Sequence, residues 1–379
     1  MRRLKRTPYY STVLGSMPKG CRLCVKGAKM VLFVTGVCSR RCWYCPVSER
    51  KRNKDVVIAN EWWVKRDRDI LEEARLCNSL GAGITGGDPT CRMEKTVKYI
   101  RLLKRTFGRR FHIHMYTSGA RTSNRNLKKL YDAGLDEIRF HPLKKDWSRM
   151  KDALKFDWSV GCEIPVIPRQ GEKARRFIDY IDGIGIDFLN LNELEFSETN
   201  ASQMAEHGMR TVGDVSYAIK GSNELALKLL DYCRKNTSLN VHYCTLRLKD
   251  KVQLGNRLKR RARNAAREYD VVTREGLLIR GAVYLPDFYP SFSYQKRLWE
   301  MGEEQRKGYL ARLRRIAHAL VGYGIPERLV SIDAQRLRVL TGAWILEDIA
   351  GQLKKQGLKP ALIEEYPTWD ALCVDLKFL

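Results

Sequence analysis

The chain has 379 residues, enough to bury a large core, and its 11 cysteines are scattered and odd in number, which excludes a disulfide framework and fits a reducing compartment. Lys and Arg total 70 against 43 Asp and Glu, and the formal net charge of +27 favours a polyanionic partner while saying little about fold. No apolar run approaches the length of a membrane span, and the basic start MRRLKRTPYYSTVLGSM lacks the apolar centre of a secretory signal, so a cytoplasmic protein with no membrane partner is expected.

Residues 1–29 read as an N-terminal extension with a C-x2-C pair, Cys21 and Cys24. The stretch 30–46, MVLFVTGVCSRRCWYCP, begins as an apolar strand, breaks at Thr35-Gly36, and presents Cys38, Cys42 and Cys45 within eight residues. Residues 67–80 then predict a helix with Ile70, Leu71, Ala74, Cys77 and Leu80 on one face. A short strand, 81–85, is closed by Gly86-Gly87-Asp88-Pro89. Helices are expected at 96–107, 123–133, 147–158, 172–184 and 224–235, and strands at 111–118, 135–142, 160–167, 186–196 and 239–246. This alternation over some two hundred residues predicts an α/β fold of parallel βα units, better matched by a partial (β/α) TIM-like barrel than by an open doubly wound sheet. The barrel core is assigned to 30–248. From Lys249 the pattern changes to a dense basic helix over 249–267, a hairpin over 269–285, one long amphipathic helix over 294–322, and two strand-like runs over 362–379. Residues 249–379 are therefore expected to form a small basic α+β appendage.

Three thiolates at C-x3-C-x2-C spacing are one short of a closed tetrahedral zinc site and one short of the usual set around an iron–sulfur cluster. The pairs Cys21/Cys24 and Cys42/Cys45 together have zinc-ribbon spacing, which keeps open a non-catalytic nucleic-acid binder. Against it stand the core-like strand VLFVTG between the pairs and the surplus Cys38.

With Tyr44 just before the third cysteine, the loop after the first strand resembles the radical S-adenosylmethionine (SAM) enzymes. Gly86-Gly87-Asp88-Pro89 resembles that superfamily's Gly-Gly-Glu motif, with Asp in place of the usual Glu. The run Gly20-Cys21-Arg22-Leu23-Cys24-Val25-Lys26-Gly27 and the run Val241-His242-Tyr243-Cys244 make the chain most similar to an archaeal-type group related to pyruvate formate-lyase activating enzymes. The resemblance implies a 4Fe–4S cluster on Cys38, Cys42 and Cys45, with SAM on the fourth iron and a low-potential electron donor. It also implies reductive cleavage of SAM to a 5′-deoxyadenosyl radical that abstracts hydrogen. Arg40 and Arg41 could lower the cost of the cluster's negative charge.

Tyr44, Gly86, Gly87 and Asp88 are the expected SAM contacts, with Asp88 accepting from the ammonium and the bare glycines allowing close backbone approach. Thr117 and Ser118, at the end of the third strand, could also hydrogen-bond SAM. Asn192 and Glu195 crowd the sixth strand with Asn190, and could meet cofactor or substrate, or a salt bridge from Arg139 or Arg169. Cys21, Cys24 and Cys244 form a candidate second metal or redox site. The substrate is expected to be macromolecular: RNA, above all tRNA, on grounds of charge and the basic helix, with Tyr284, Phe288, Tyr289, Phe292 and Tyr294 free to stack on bases or to form the appendage's core. The alternative is a protein, activated by a glycyl-type radical as in the activating enzymes.

Overall fold

The computed structural model describes residues 2–379 and divides into two compact units, one ending at Arg257 and the other spanning Leu258–Leu379. The first unit opens with β1 (Leu4–Arg6), β2 (Thr12–Leu14) and α1 (Lys19–Val25), followed by β3 (Lys29–Phe33), β4 (Ile58–Ala59) and β5 (Trp62–Trp63). It continues with α2 (Asp67–Leu76), β6 (Gly81–Thr85), α3 (Met93–Phe107), β7 (His112–Thr117), α4 (Asn124–Ala133) and β8 (Glu137–Phe140). It closes with α5 (Met150–Ala153), β9 (Ser159–Val166), α6 (Gly171–Gly183), β10 (Phe188–Glu193), α7 (Ala201–Glu206), α8 (Ser222–Asn236) and β11 (Asn240–Cys244). α9 (Gly255–Ala265) runs across the boundary between the units.

The strands form one sheet in the order β1-β2-β11-β10-β9-β8-β7-β6-β3-β4-β5. From β3 to β11 every neighbouring pair is parallel, and the strands at both edges are antiparallel. A mostly parallel sheet of βα units is what the alternating pattern predicts. The period of two separates its faces. Met30, Leu32, Ala82, Ile84, Ile113, Met115, Ile138, Phe140, Leu189 and Leu191 share one apolar core with Ile70, Ile100, Leu103, Leu130, Ile178 and Leu230 of the helices. Each of these side chains larger than alanine stabilises the unit by about 1.5–3 kcal/mol on burial. The opposite face carries buried polar groups instead: Lys29, His112, His114, Glu137, Arg139, Asn190 and His242.

Residues 2–29 do not form a separate extension. β2 pairs with β11, and α1 packs against β3, β6 and β7, with Gly20 N donating to the Glu137 carboxylate at 3.2 Å. The dense basic helix is also different from expectation. Its first part, Leu248–Leu254, is π-helical and belongs to the first unit. Its own sequence has one acid, Asp250, and further acids arrive from elsewhere: Arg257 forks onto Glu61 at 2.5 and 2.7 Å, and Lys249 reaches Glu195 at 3.4 Å. The expected 147–158 helix is a 3-10 turn, Lys144–Arg149, followed by the single turn of α5.

The second unit is a six-stranded antiparallel sheet. β12 (Val271–Val272) and β13 (Leu278–Tyr284) are the hairpin read from sequence, and α10 (Tyr294–Glu300) and α11 (Glu303–Gly322) divide the expected long helix where Met301 turns extended before Gly302. β14 (Ser331–Asp333), β15 (Arg338–Thr341) and α12 (Ala343–Lys355) were not read from the sequence, whereas β16 (Lys359–Glu365) and β17 (Cys373–Phe378) match the terminal runs. The strand order is β14-β15-β13-β16-β17, with β12 on β13. Tyr284, Phe288 and Tyr294 are buried in this unit's core, Tyr289 packs against it, and only Phe292 of the five aromatics is fully exposed. Four of the five thus pack in or against this unit's core.

Candidate active site

The loop after β3 carries Cys38, Cys42 and Cys45, all half-buried free thiols. Its base is closed by Gly36 N donating to Lys54 O at 2.7 Å and Asn53 N donating to Gly36 O at 3.0 Å. Within it Cys45 N donates to Cys42 O at 3.0 Å, and Arg40 N donates to the Cys38 sulfur at 3.3 Å. Burial pushes the Cys38 thiol up to about 11 and the Cys42 thiol upward too, so metal binding here must release protons. Arg40 is ion-paired with buried Asp146, and Arg41 is exposed. The expected help of both arginines toward cluster charge is thus reduced, because Asp146 matches one of them.

Beside this loop lies the end of β6. Gly87 N donates to Thr35 O at 2.8 Å and Asp88 N to Val37 O at 2.9 Å, so the two loops run together as an extension of the β3–β6 pairing. A Cβ on Gly87 would sit 2.6 Å from the Gly36 and Val37 oxygens and 2.8 Å from Cys38 Cβ. Only a bare backbone fits there. Asp88, expected to accept from the ammonium, is fully buried and hydrogen-bonded within the protein. Its carboxylate accepts from Thr90 N at 3.0 Å, Thr90 Oγ1 at 2.6 Å, Thr117 Oγ1 at 3.1 Å, Ser118 N at 3.0 Å and Ser118 Oγ at 2.5 Å. The motif's acid therefore ties the end of β6 to the end of β7. The hydroxyls of Thr117 and Ser118 donate to Asp88, and their oxygens accept from Gly119 N at 3.2 Å and Ala120 N at 3.3 Å.

Tyr44 is held from two directions. Its hydroxyl meets His141 Nε2 at 2.8 Å, and its backbone oxygen accepts from the amide of buried Asn200 at 3.1 Å. Trp43 stacks on His207 at 4.1 Å, and both Trp43 and Tyr44 pack against Leu194, Met204 and Ile219. His141 directly follows β8, where the expected 135–142 strand runs out. Asn200, Asp146 and His207 gave no comparable signal.

Much of the polar face of the sheet is a hydrogen-bonded network centred on Arg139, whereas both ring nitrogens of buried His242 and Nδ1 of His114 have no partner among the described residues. Its guanidinium donates to Glu137 Oε1 at 2.6 Å, Glu163 Oε2 at 2.8 Å and Tyr116 Oη at 3.1 Å. Glu163 also accepts from Asn190 and Asn192, each at 2.8 Å. Burial alone would raise the Glu163 carboxyl, but Arg139 and the two amides more than offset it and hold it low. Lys29 Nζ lies 2.8 Å from His112 Nδ1, and burial lowers that lysine to about 7. Of the two residues expected to meet a ligand here, Asn192 donates to Glu163 and Glu195 faces Lys249.

Cys21 lies in this network, 3.4 Å from the Arg139 guanidinium and 3.3 Å from the Asn190 amide. Cys24 is one turn further along α1, and Cys244 on β11 receives a long contact from Gln253 at 3.8 Å. Among the described residues no group of three or more His, Cys, Asp or Glu side chains is drawn together closely enough to hold a metal ion. A ribbon of Cys21, Cys24, Cys42 and Cys45 is not formed, because Cys21 is committed to the barrel interior. Cys77, Cys162 and Cys233 are buried, Cys91 is half-buried and Cys373 is exposed.

The donor set of the cysteine loop nonetheless fits an iron–sulfur cluster with an open iron: three free thiols share one eight-residue loop, beside a strand end that a single Cβ would block. Cys38, Cys42 and Cys45 would hold the cluster, and the Gly86-Gly87 backbone would flank SAM. Such a cluster supplies one low-potential electron to the bound sulfonium.

Comparisons with known proteins agree. The family model for the Radical SAM superfamily matches residues 32–142, and a domain of unknown function (DUF8061) matches residues 276–377. A protein of Methanocaldococcus jannaschii named "Putative glycyl-radical enzyme activating enzyme MJ0021" is 38% identical over 97% of this chain and 94% of its own length. Among solved structures, SuiB of Streptococcus suis bound to S-adenosylmethionine matches with 13% identity and a TM-score of 0.41, over 57% of this chain and 50% of that one. Coproporphyrinogen III oxidase (HemN) of Escherichia coli, a radical SAM enzyme, matches with 10% identity and a TM-score of 0.36, over 58% of this chain and 56% of that one. No helix among the described residues is long and apolar enough to cross a membrane. By its family match and its full-length relative, the chain is a radical SAM enzyme and belongs to the radical SAM superfamily.

Proposed function

We propose that this enzyme activates a partner protein by installing a glycyl radical. The observation that carries this reading is the relative named as a glycyl-radical enzyme activating enzyme, which matches this chain almost end to end at 38% identity. The RNA substrate expected from charge finds no support among the relatives, and the basic helix thought to bind phosphate has two of its cations in ion pairs with Glu61 and Glu195. The reaction balances as follows: one electron from a low-potential donor, SAM and a glycine Cα–H give methionine, 5′-deoxyadenosine and a glycyl radical. Cys38, Cys42, Cys45, Tyr44, Gly86 and Gly87 serve the cofactor side of that reaction. Asn192 and the mouth of the barrel are left for the substrate loop.

The test uses the reconstituted protein with SAM, dithionite and a glycyl-radical enzyme expressed from the same organism. The expected result is an EPR doublet on the partner that collapses when its glycine is deuterated at Cα. A partner that stays radical-free, with bulk tRNA instead accelerating SAM cleavage, would overturn the protein reading.

A further inference from the structure

Among the described residues, the sheet of the second unit ends on a strand with one open side. β17 (Cys373–Phe378) pairs with β16 and is the outermost strand on that edge. The opposite edge strand, β14, is three residues long, whereas β17 has six, and five of those six are exposed. Val374 and Phe378 are 47% and 41% exposed, and Leu376 between them packs only partly on the core. An open edge of this length, with an apolar row along it, is a template for a further strand.

The register shows which groups face the opening. Leu379 N donates to Pro360 O at 3.0 Å, so that residue turns its main-chain polar groups toward β16. Antiparallel pairing alternates, so the N–H and C=O of Leu376 and Phe378 point to the open side. The irregularity at Glu364/Glu365 falls opposite the start of β17, before Asp375. From there the strand is its own complement about Leu376. When two copies pair antiparallel with Leu376 opposite Leu376, Asp375 of each meets Lys377 of the other, and Val374 meets Phe378. The charged pairs share one face and the apolar pairs the other, because side chains alternate. Moving the axis to Asp375 or Lys377 sets like charges opposite each other, which is unfavourable. Both charged side chains are exposed, and neither is in an ion pair among the described residues.

We propose that β17 is a self-association edge, through which two copies of this chain join antiparallel about a two-fold axis at Leu376. The two sheets then run on as one, and Leu376 exchanges main-chain hydrogen bonds with its counterpart. Lysine is a residue that ordinarily blunts an edge, but here Asp375 of the second copy matches Lys377. Pairing of one strand from each copy buries less than the roughly 800 Å² per partner of a standard interface, so the dimer forms and dissociates with concentration.

The experiment is sedimentation velocity on the full-length chain at physiological ionic strength, over a concentration series. Wild type should pass from monomer to dimer as its concentration rises. Asp375→Lys and Lys377→Asp each place like charges across the axis, and each alone should associate about tenfold more weakly. Mixed together, the two variants should form a heterodimer, because one strand is then basic at both positions and the other acidic. The double swap, Asp375→Lys with Lys377→Asp, should return the wild-type constant. Both positions are exposed, so far-UV circular dichroism should show every variant folded as wild type is. A wild type that stays monomeric throughout, or single variants that dimerise as wild type does, would overturn the proposal. So would a mixture or a double swap that fails to regain association.

Discussion

Replacing Arg139 with methionine should destabilise the first unit by about 3–5 kcal/mol, the cost of stranding buried carboxylates by removing their partner. Arg139 is 2% exposed, and its guanidinium is the shared partner of Glu137 and Glu163. Burial disfavours its charge, but the anionic groups around it more than compensate and keep it protonated. Lys29 is a poor substitute, because its amine is engaged with His112 and burial lowers its pKa to about 7. Denaturant unfolding at neutral pH followed by intrinsic fluorescence measures the loss. The triple change Arg139→Met, Glu137→Gln and Glu163→Gln removes the charges together and should recover much of it. A loss under about 1 kcal/mol for Arg139→Met alone would show that the network is solvated and weak.

Asp88→Ala should cost about 2–6 kcal/mol. Two buried main-chain donors, Thr90 N and Ser118 N, lose their acceptor, and each unsatisfied group costs about 1–3 kcal/mol. The hydroxyls of Thr90, Thr117 and Ser118 can turn elsewhere, whereas a main-chain N–H cannot. Asp88→Asn keeps one carbonyl oxygen and should lose less. This variant also separates two roles, with thermal unfolding and equilibrium SAM binding as the paired readouts. A structural tie predicts lower stability with SAM binding retained in the folded fraction. Lost SAM binding at unchanged stability would restore Asp88 as a direct ligand of the ammonium.

Much of the first unit was legible because its signals are local. Gly81–Thr85 is a short run bounded by glycines, and Asn124–Ala133 has a Ser123 cap and a left-handed Gly134 at its end. The cysteine loop follows its strand at a spacing that no core packing requires. What escaped the sequence was set by contacts between distant segments. α1 is seven residues long, too short to show a helical period, so Cys21 and Cys24 gave no hint of entering the barrel interior. Asp88 looked like a ligand because Thr117 and Ser118 lie some thirty residues away and their shared target is tertiary. The basic helix looked free because Glu61, the partner of Arg257, is 196 residues upstream. In the second unit, the break between α10 and α11 depends on one extended residue, Met301, inside an otherwise continuous amphipathic pattern.

The central claim is that the loop of Cys38, Cys42 and Cys45 holds the cluster that cleaves SAM. Its most direct test is 5′-deoxyadenosine release by anaerobically reconstituted wild type and Cys38→Ala, each with SAM and dithionite, alongside iron and sulfide content. Wild type should bind a 4Fe–4S cluster and release 5′-deoxyadenosine, and Cys38→Ala should fold yet do neither. A Cys38→Ala protein that still loads the cluster and cleaves SAM would contradict the account.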